Sequence, residues 1–196
     1  MLLYTYMINL ATALKSTYKT KEESEKLMND SGYEFDKSLS NQSDRVYFNP
    51  YDNKLLITYR GTHNLINDIP ADFSILTGQF NTKRFTGAKE QYQKVKQKYY
   101  KTPDITLIGH SLGGTLASQV NKSDQNNKSN HVITFNKGSG SLFDSFRHKP
   151  ENEDNYRQAG DLISVLDIGN SKTLGYLQNP LSAHNTDNLI NKRLYI

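Results

Sequence analysis

Six residues, Gly109-His110-Ser111-Leu112-Gly113-Gly114, constrain this chain more than any other segment. They follow the apolar run Ile105-Thr106-Leu107-Ile108 and precede the helix-compatible stretch Thr115-Leu116-Ala117-Ser118-Gln119-Val120. A serine flanked at two residues on either side by glycine, between a strand and a helix, is the pattern of a sharp turn that pushes the hydroxyl outward. The glycines let strand and helix backbones approach closely. Strand, turn and helix in that order require a sheet with a helix packed against it, so the surrounding sequence should read as alternating strands and helices.

It does. Arg45-Val46-Tyr47-Phe48 and Lys54-Leu55-Leu56-Ile57-Thr58-Tyr59 are β-rich runs on either side of the turn residues Asn49-Pro50-Tyr51-Asp52-Asn53, which predicts a hairpin. Phe85, Ala88, Tyr92, Val95 and Tyr99 recur at spacings of three and four, with lysines on the other faces, which predicts an amphipathic helix. Pro103 and Asp104 close that helix before the strand at 105–108. A polar loop over 121–130 leads to a further strand, His131-Val132-Ile133-Thr134-Phe135, followed by the turn Gly138-Ser139-Gly140-Ser141. Residues 149–156 read as a polar connector, and Leu162-Ile163-Ser164-Val165-Leu166 as the last buried element. At the start, Leu3, Met7, Leu10 and Leu14 form a helical stripe, and a Lys/Glu-rich stretch continues to about residue 37. The expectation is an α/β fold with a mostly parallel sheet. It is a single domain over residues 1–196, with residues 1–40 as a helical extension packed on it or fraying.

Composition narrows the partners. The 196 residues suffice for one substantial core. Hydrophobic content is only 35%, but 13 Tyr and 8 Phe supply bulk. A net charge of +4 favours approach to an anionic membrane or lipid surface, and no nucleic-acid module accompanies the scattered lysines. Without a cysteine there is no disulfide, thiol nucleophile or thiolate metal site. No metal or organic cofactor is implied. The start mimics a secretory apolar region but lacks a basic leader, so the compartment stays open, with the cytoplasm favoured. No run reaches the roughly 20 apolar residues of a membrane span.

A serine hydroxyl is a poor nucleophile at neutral pH and needs a base, an orienting acid and oxyanion donors. On a strand-turn-helix serine of this kind the partners follow in chain order, acid and then histidine. His63 and His110 precede Ser111, and His131 and His148 come before any suitable late acid, leaving His184. Asp161 is the best-placed acid and Asp167 the alternative.

With these residues in place the chain resembles the class 3 lipase family, the α/β-hydrolases that include fungal triacylglycerol lipases and plant phospholipases A1. The resemblance runs from about Leu55 to His184. Leu56-Ile57-Thr58-Tyr59-Arg60-Gly61-Thr62 is similar to the family strand ending in Arg-Gly-Thr, which implies that Thr62 and the Leu112 N–H form the oxyanion hole. Asp72 resembles the family aspartate that orients the threonine hydroxyl, with one residue of extra spacing. Phe85-Thr86-Gly87-Ala88, Ile133-Thr134-Phe135-Asn136 and Gly160-Asp161-Leu162-Ile163 are similar to the helix before the elbow, the strand after it and the acid-bearing segment. The family tryptophan of the lid is absent here, and Asp68 stands in that stretch. Leu65, Ile66 and Ile69 form either a short lid or a buried loop, and Leu177 and Leu181 either line an acyl groove or pack the C-terminus. The resemblance implies hydrolysis of lipid carboxylic esters, of triacylglycerol or phospholipid type, at an interface. A non-catalytic binding module on the same scaffold, and an esterase, thioesterase or acyltransferase of small acyl substrates, are the competing readings.

Overall fold

A computed structural model describes residues 10–61, 82–102, 104–124, 126, 129–138, 151–159 and 171–174. Seven strands among them form one sheet in sequential order: β1 (Glu34–Phe35), β2 (Asp44–Asn49), β3 (Lys54–Tyr59), β4 (Asp104–His110), β5 (His131–Phe135), β6 (Glu153–Gln158) and β7 (Lys172–Leu174). β1, β2 and β3 pair antiparallel, and β3 to β7 are parallel. The expected hairpin is β2–β3, in register from Asp44 opposite Tyr59 to Asn49 opposite Lys54.

Side-chain alternation along these strands sorts the core into two layers. Tyr47, Leu56, Ile108 and Ile133 face one side, where Ala13, Leu14 and Met28 of the N-terminal helices cover them. Val46, Leu55, Ile57, Leu107 and Val132 face the other, under Ala88, Tyr92, Val95, Leu116, Ala117 and Val120. The covering helices are α1 (Leu10–Ser16) and α2 (Lys21–Asn29) on the first face, α3 (Thr82–Lys98) and α4 (Leu112–Lys122) on the second. Sheet strands buried on both sides read as continuous apolar runs, which is why β3, β4 and β5 were legible from sequence.

The N-terminal region packs and does not fray over its described part. Thr20 caps α2 by accepting from the Glu23 N–H at 3.2 Å, while the Glu23 carboxylate accepts from the Thr20 N–H at 3.0 Å. Ser24 Oγ then reaches the Ser16 carbonyl at 2.6 Å, and Tyr47 donates from the sheet to Ser16 Oγ at 2.9 Å. The region is also more than a helical extension, because β1 adds an edge strand to the sheet. The largest departure from expectation is β6. Residues 153–158, four of which fall in the expected polar connector at 149–156, form a strand between β5 and β7. The strand's inward positions are polar: Glu153, Asn155 and Gln158 are buried. Ser118 Oγ donates to Glu153 at 2.8 Å, Lys137 Nζ at 2.7 Å, and Thr134 Oγ1 donates to Asn155 at 2.6 Å. The apolar run at 162–166 lies outside the described residues.

Several carboxylates are held below their ordinary range. Burial alone would raise Asp36, but the Lys98 ammonium, Ser38, Tyr99 and the Leu39 N–H outweigh it and hold it at about 2. Burial likewise works against Glu153 and Asp124, and Lys137 and Lys96 with their hydrogen bonds reverse it. A carboxylate whose folded pKa is depressed adds stability above its unfolded pKa and loses it as pH falls through the folded one. The unfolding midpoint is therefore expected to be insensitive to Asp36 protonation above pH of about 4 and to fall as pH drops from there toward about 2. Asp36→Asn should flatten that fall in a pH series of thermal melts. A variant that follows the wild-type curve would rule out the Asp36 contribution.

Candidate active site

The parallel strands β3, β4, β5 and β6 all end at one edge, at Tyr59, His110, Phe135 and Gln158. Ser111 sits there, between the last residue of β4 and the first of α4, with φ 55° and ψ −126°. A non-glycine residue in that region is strained by about 1–3 kcal/mol, and such strain clusters at functional positions. The turn is closed by backbone bonds. Ser111 N–H donates to the Phe135 carbonyl at 3.0 Å, and the Ser111 carbonyl accepts from the Gly114 N–H at 3.0 Å.

Two glycines are required by contact. A Cβ on Gly113 would lie 2.1 Å from the Tyr59 carbonyl oxygen, and one on Gly109 would lie 2.1 Å from the Gly113 carbonyl oxygen. Those neighbours are backbone and cannot swing aside, so helix α4 reaches β3 and β4 only through the absence of side chains here. The spacing of the two glycines about Ser111, read as room for strand and helix to meet, has this contact as its cause.

Ser111 is fully buried, and its Oγ has no hydrogen-bond partner among the described residues. Leu112 follows as the first residue of α4, where a backbone N–H has no acceptor within the helix and points out of its N-terminus. Residues 60–61 run directly past the turn. A Cβ on Gly61 would lie 2.7 Å from the His110 carbonyl oxygen and 3.1 Å from Ser111 Cβ. The Arg60 N–H donates to the Ser43 carbonyl at 3.0 Å, and Arg84 Nη2 reaches the Arg60 carbonyl at 3.5 Å. Arg84 itself forms a two-pronged ion pair with the buried Asp44, through Nη1 at 2.6 Å and through Nη2.

Tyr18, from the turn between α1 and α2, completes the cluster. Its hydroxyl accepts from the Gly61 N–H at 3.2 Å and lies 3.1 Å from His110 Nδ1. Its ring meets the imidazole edge-on, with centroids 6.3 Å apart. Sequence reading missed Tyr18, because these contacts span 43 and 92 residues and no local pattern marks it.

Of the residues expected at the site, the structure describes Ser111 and Leu112 and brings them together at the elbow. Thr62, Asp72, Leu65, Ile66, Ile69, Asp161, Asp167, Leu177, Leu181 and His184 lie outside the described residues. Among the described residues no group of three His, Asp or Glu side chains is placed to hold a metal, and no helix is long and apolar enough to cross a membrane.

The mostly parallel sheet with helices on both faces and the strained serine after β4 define an α/β-hydrolase fold. The same fold occurs in Lip2 lipase from Yarrowia lipolytica (TM-score 0.52, 13% identity, 79% of this chain and 72% of that one). It recurs in Rhizomucor miehei lipase in complex with its propeptide (TM-score 0.54, 14% identity, 81% of this chain and 60% of that one). Lipase II from Rhizopus niveus shares it as well (TM-score 0.53, 13% identity, 79% and 71%). No curated protein matches the sequence. The family model described as Mbeg1-like matches residues 24–165, and the chain belongs to the Mbeg1-like family.

Proposed function

We propose that the protein is a serine hydrolase that cleaves carboxylic ester bonds of lipids by acyl transfer through Ser111. The observation that carries this reading is the Ser111 backbone, held at φ 55° in a turn between β4 and α4 with Gly61 packed against it. In the proposed mechanism His184 takes the Ser111 proton as Oγ attacks the ester carbonyl, and returns it to the alkoxide of the leaving alcohol as the C–O bond breaks. Water then attacks the acyl-enzyme with His184 again as base, releasing the fatty acid. Asp161 holds the histidine tautomer. β6 ends at Gln158, three residues before Asp161 and at the same sheet edge as Ser111, which favours Asp161 over Asp167. The N–H groups of Thr62 and Leu112 stabilise the oxyanion, Thr62 following directly on Gly61. Asp72 orients the Thr62 hydroxyl.

Substrate enters from a lipid interface. Ser111 is fully buried, so an acyl chain reaches Oγ only after its cover moves; Leu65, Ile66 and Ile69 are the proposed cover, and Leu177 and Leu181 the proposed acyl-chain contacts. The positive charge draws the protein to an anionic surface.

The test is fatty acid release from emulsified triacylglycerol and from phosphatidylcholine and phosphatidylglycerol vesicles, together with labelling of Ser111 by a fluorophosphonate. Release that rises sharply once substrate exceeds its solubility supports the lipase reading. Turnover confined to dissolved short-chain esters assigns an esterase, and acceptor-dependent products assign an acyltransferase. No release with an unreactive Ser111 leaves a binding module on a hydrolase scaffold.

A further inference from the structure

We propose that Tyr18 is a positioning residue for the oxyanion hole, its hydroxyl tying the Gly61 amide to the His110 ring and so fixing the chain that enters Thr62 against the nucleophile turn. The inference rests on the function proposed above and assigns a role to a residue outside the triad and the oxyanion donors. Gly61 is the last residue before Thr62, and it touches Ser111 Cβ and the His110 carbonyl closely enough that no side chain fits. Hydrogen bonds fix its lateral position. The Arg60 side of the segment is anchored to Ser43 and Arg84, whereas the Gly61 N–H goes to Tyr18.

The phenol is suited to the task because it accepts and donates at once. Accepting from Gly61 leaves its own proton available to His110 Nδ1 in the tautomer that carries the imidazole proton on Nε2. Burial pushes the Tyr18 phenol up to about 12, so it keeps its proton throughout the working pH range. The backbone behind it is also held. Lys19 C=O accepts from Arg45 Nη2 at 3.1 Å, and Thr17 Oγ1 donates to the Leu14 carbonyl at 2.7 Å. Tyr18 therefore transmits the position of the α1–α2 turn, docked on the sheet through Ser16 and Tyr47, to the edge where the reaction takes place. Oxyanion donors act only at hydrogen-bond distance from the developing charge, so a displaced donor costs rate with little change in ground-state binding.

The experiment compares wild type with Tyr18→Phe, which keeps the ring and its edge contact with His110 and removes only the hydroxyl. With p-nitrophenyl butyrate as substrate, kcat should fall by about tenfold to a hundredfold, with KM within about twofold. The preference for the oxygen ester over its thiono analogue should shrink in the variant, because a sulfur anion uses the oxyanion donors poorly. A purely structural role would leave that ratio unchanged. A kcat within twofold of wild type, or an unchanged ester-to-thionoester ratio, overturns the proposal while the function stands. Loss of cooperative thermal unfolding in Tyr18→Phe also overturns it, in favour of a folding role. Wild-type protein with no turnover and an unlabelled Ser111 overturns the proposed function itself, and is seen before any Tyr18 variant is made.

Discussion

Ser111→Ala is expected to reduce ester hydrolysis by about 10⁴- to 10⁶-fold while leaving the protein at least as stable as wild type. On the proposed mechanism the loss is large because Oγ would form the acyl-enzyme bond, and the oxyanion donors alone would have no efficient attacking group to assist. Stability is the more diagnostic half. Serine contributes no hydrogen bond from Oγ among the described residues, although the side chain is fully buried. Its backbone at φ 55° and ψ −126° is one that glycine adopts with far less strain. Ser111→Gly should therefore be more stable than Ser111→Ala by about 1 kcal/mol, read from urea unfolding, even though both are inactive. A position kept as serine where glycine is preferred by the backbone is what a nucleophile at a strained turn entails. Equal stabilities of the two variants would show that the turn holds no usable strain. Residual activity of Ser111→Ala within tenfold of wild type would remove the serine from the chemistry.

The parts of this fold that were legible in the sequence are those where local pattern and tertiary role coincide. β3, β4 and β5 are buried on both faces over most of their length and are predominantly apolar, with single threonines at 58, 106 and 134. Helix α3 shows its buried stripe through Ala88, Tyr92 and Val95 at spacings of four and three. The elbow announced itself because two glycines meet backbone and one serine carries the turn. β6 was illegible for the opposite reason. Its buried Glu153, Asn155 and Gln158 are the residues that hydropathy assigns to loops, and they become core only through Lys137, Ser118, Thr134 and Asn136 elsewhere in the chain. β1 is two residues long and has no period to read. At the site, chain order selected Asp161 and His184 among the candidates, yet Tyr18 carries no sequence signal because its partners are Gly61 and His110. Motif reading finds groups fixed by local spacing or chain order; a contact such as Tyr18 with Gly61 and His110 has neither.

The same distinction governs the Asp44–Arg84 pair, whose disruption should be the most costly single change for stability among the described contacts. Asp44 is fully buried at the start of β2 and receives both guanidinium nitrogens of Arg84, which extends from the first turn of α3. Asn41 Nδ2 adds a third contact at 3.2 Å. Arg84→Met keeps much of the aliphatic bulk but leaves a carboxylate in the interior with one neutral donor. Breaking a buried pair from one side typically costs about 3–5 kcal/mol, and the partial exposure of Arg84 places this one near the lower end. For a chain of this size that corresponds to a drop in Tm of roughly 6–12 °C. Asp44→Asn in the same chain should recover most of the loss, since it removes the uncompensated charge. Arg84 also reaches the Arg60 carbonyl, so the single variant should lose kcat as well, and the double variant should regain stability without regaining rate. Recovery of both together would mean that residues 60–61 are positioned by the bulk of the fold; recovery of stability alone would mean that the guanidinium itself aligns the strand end on which the oxyanion hole is proposed to stand.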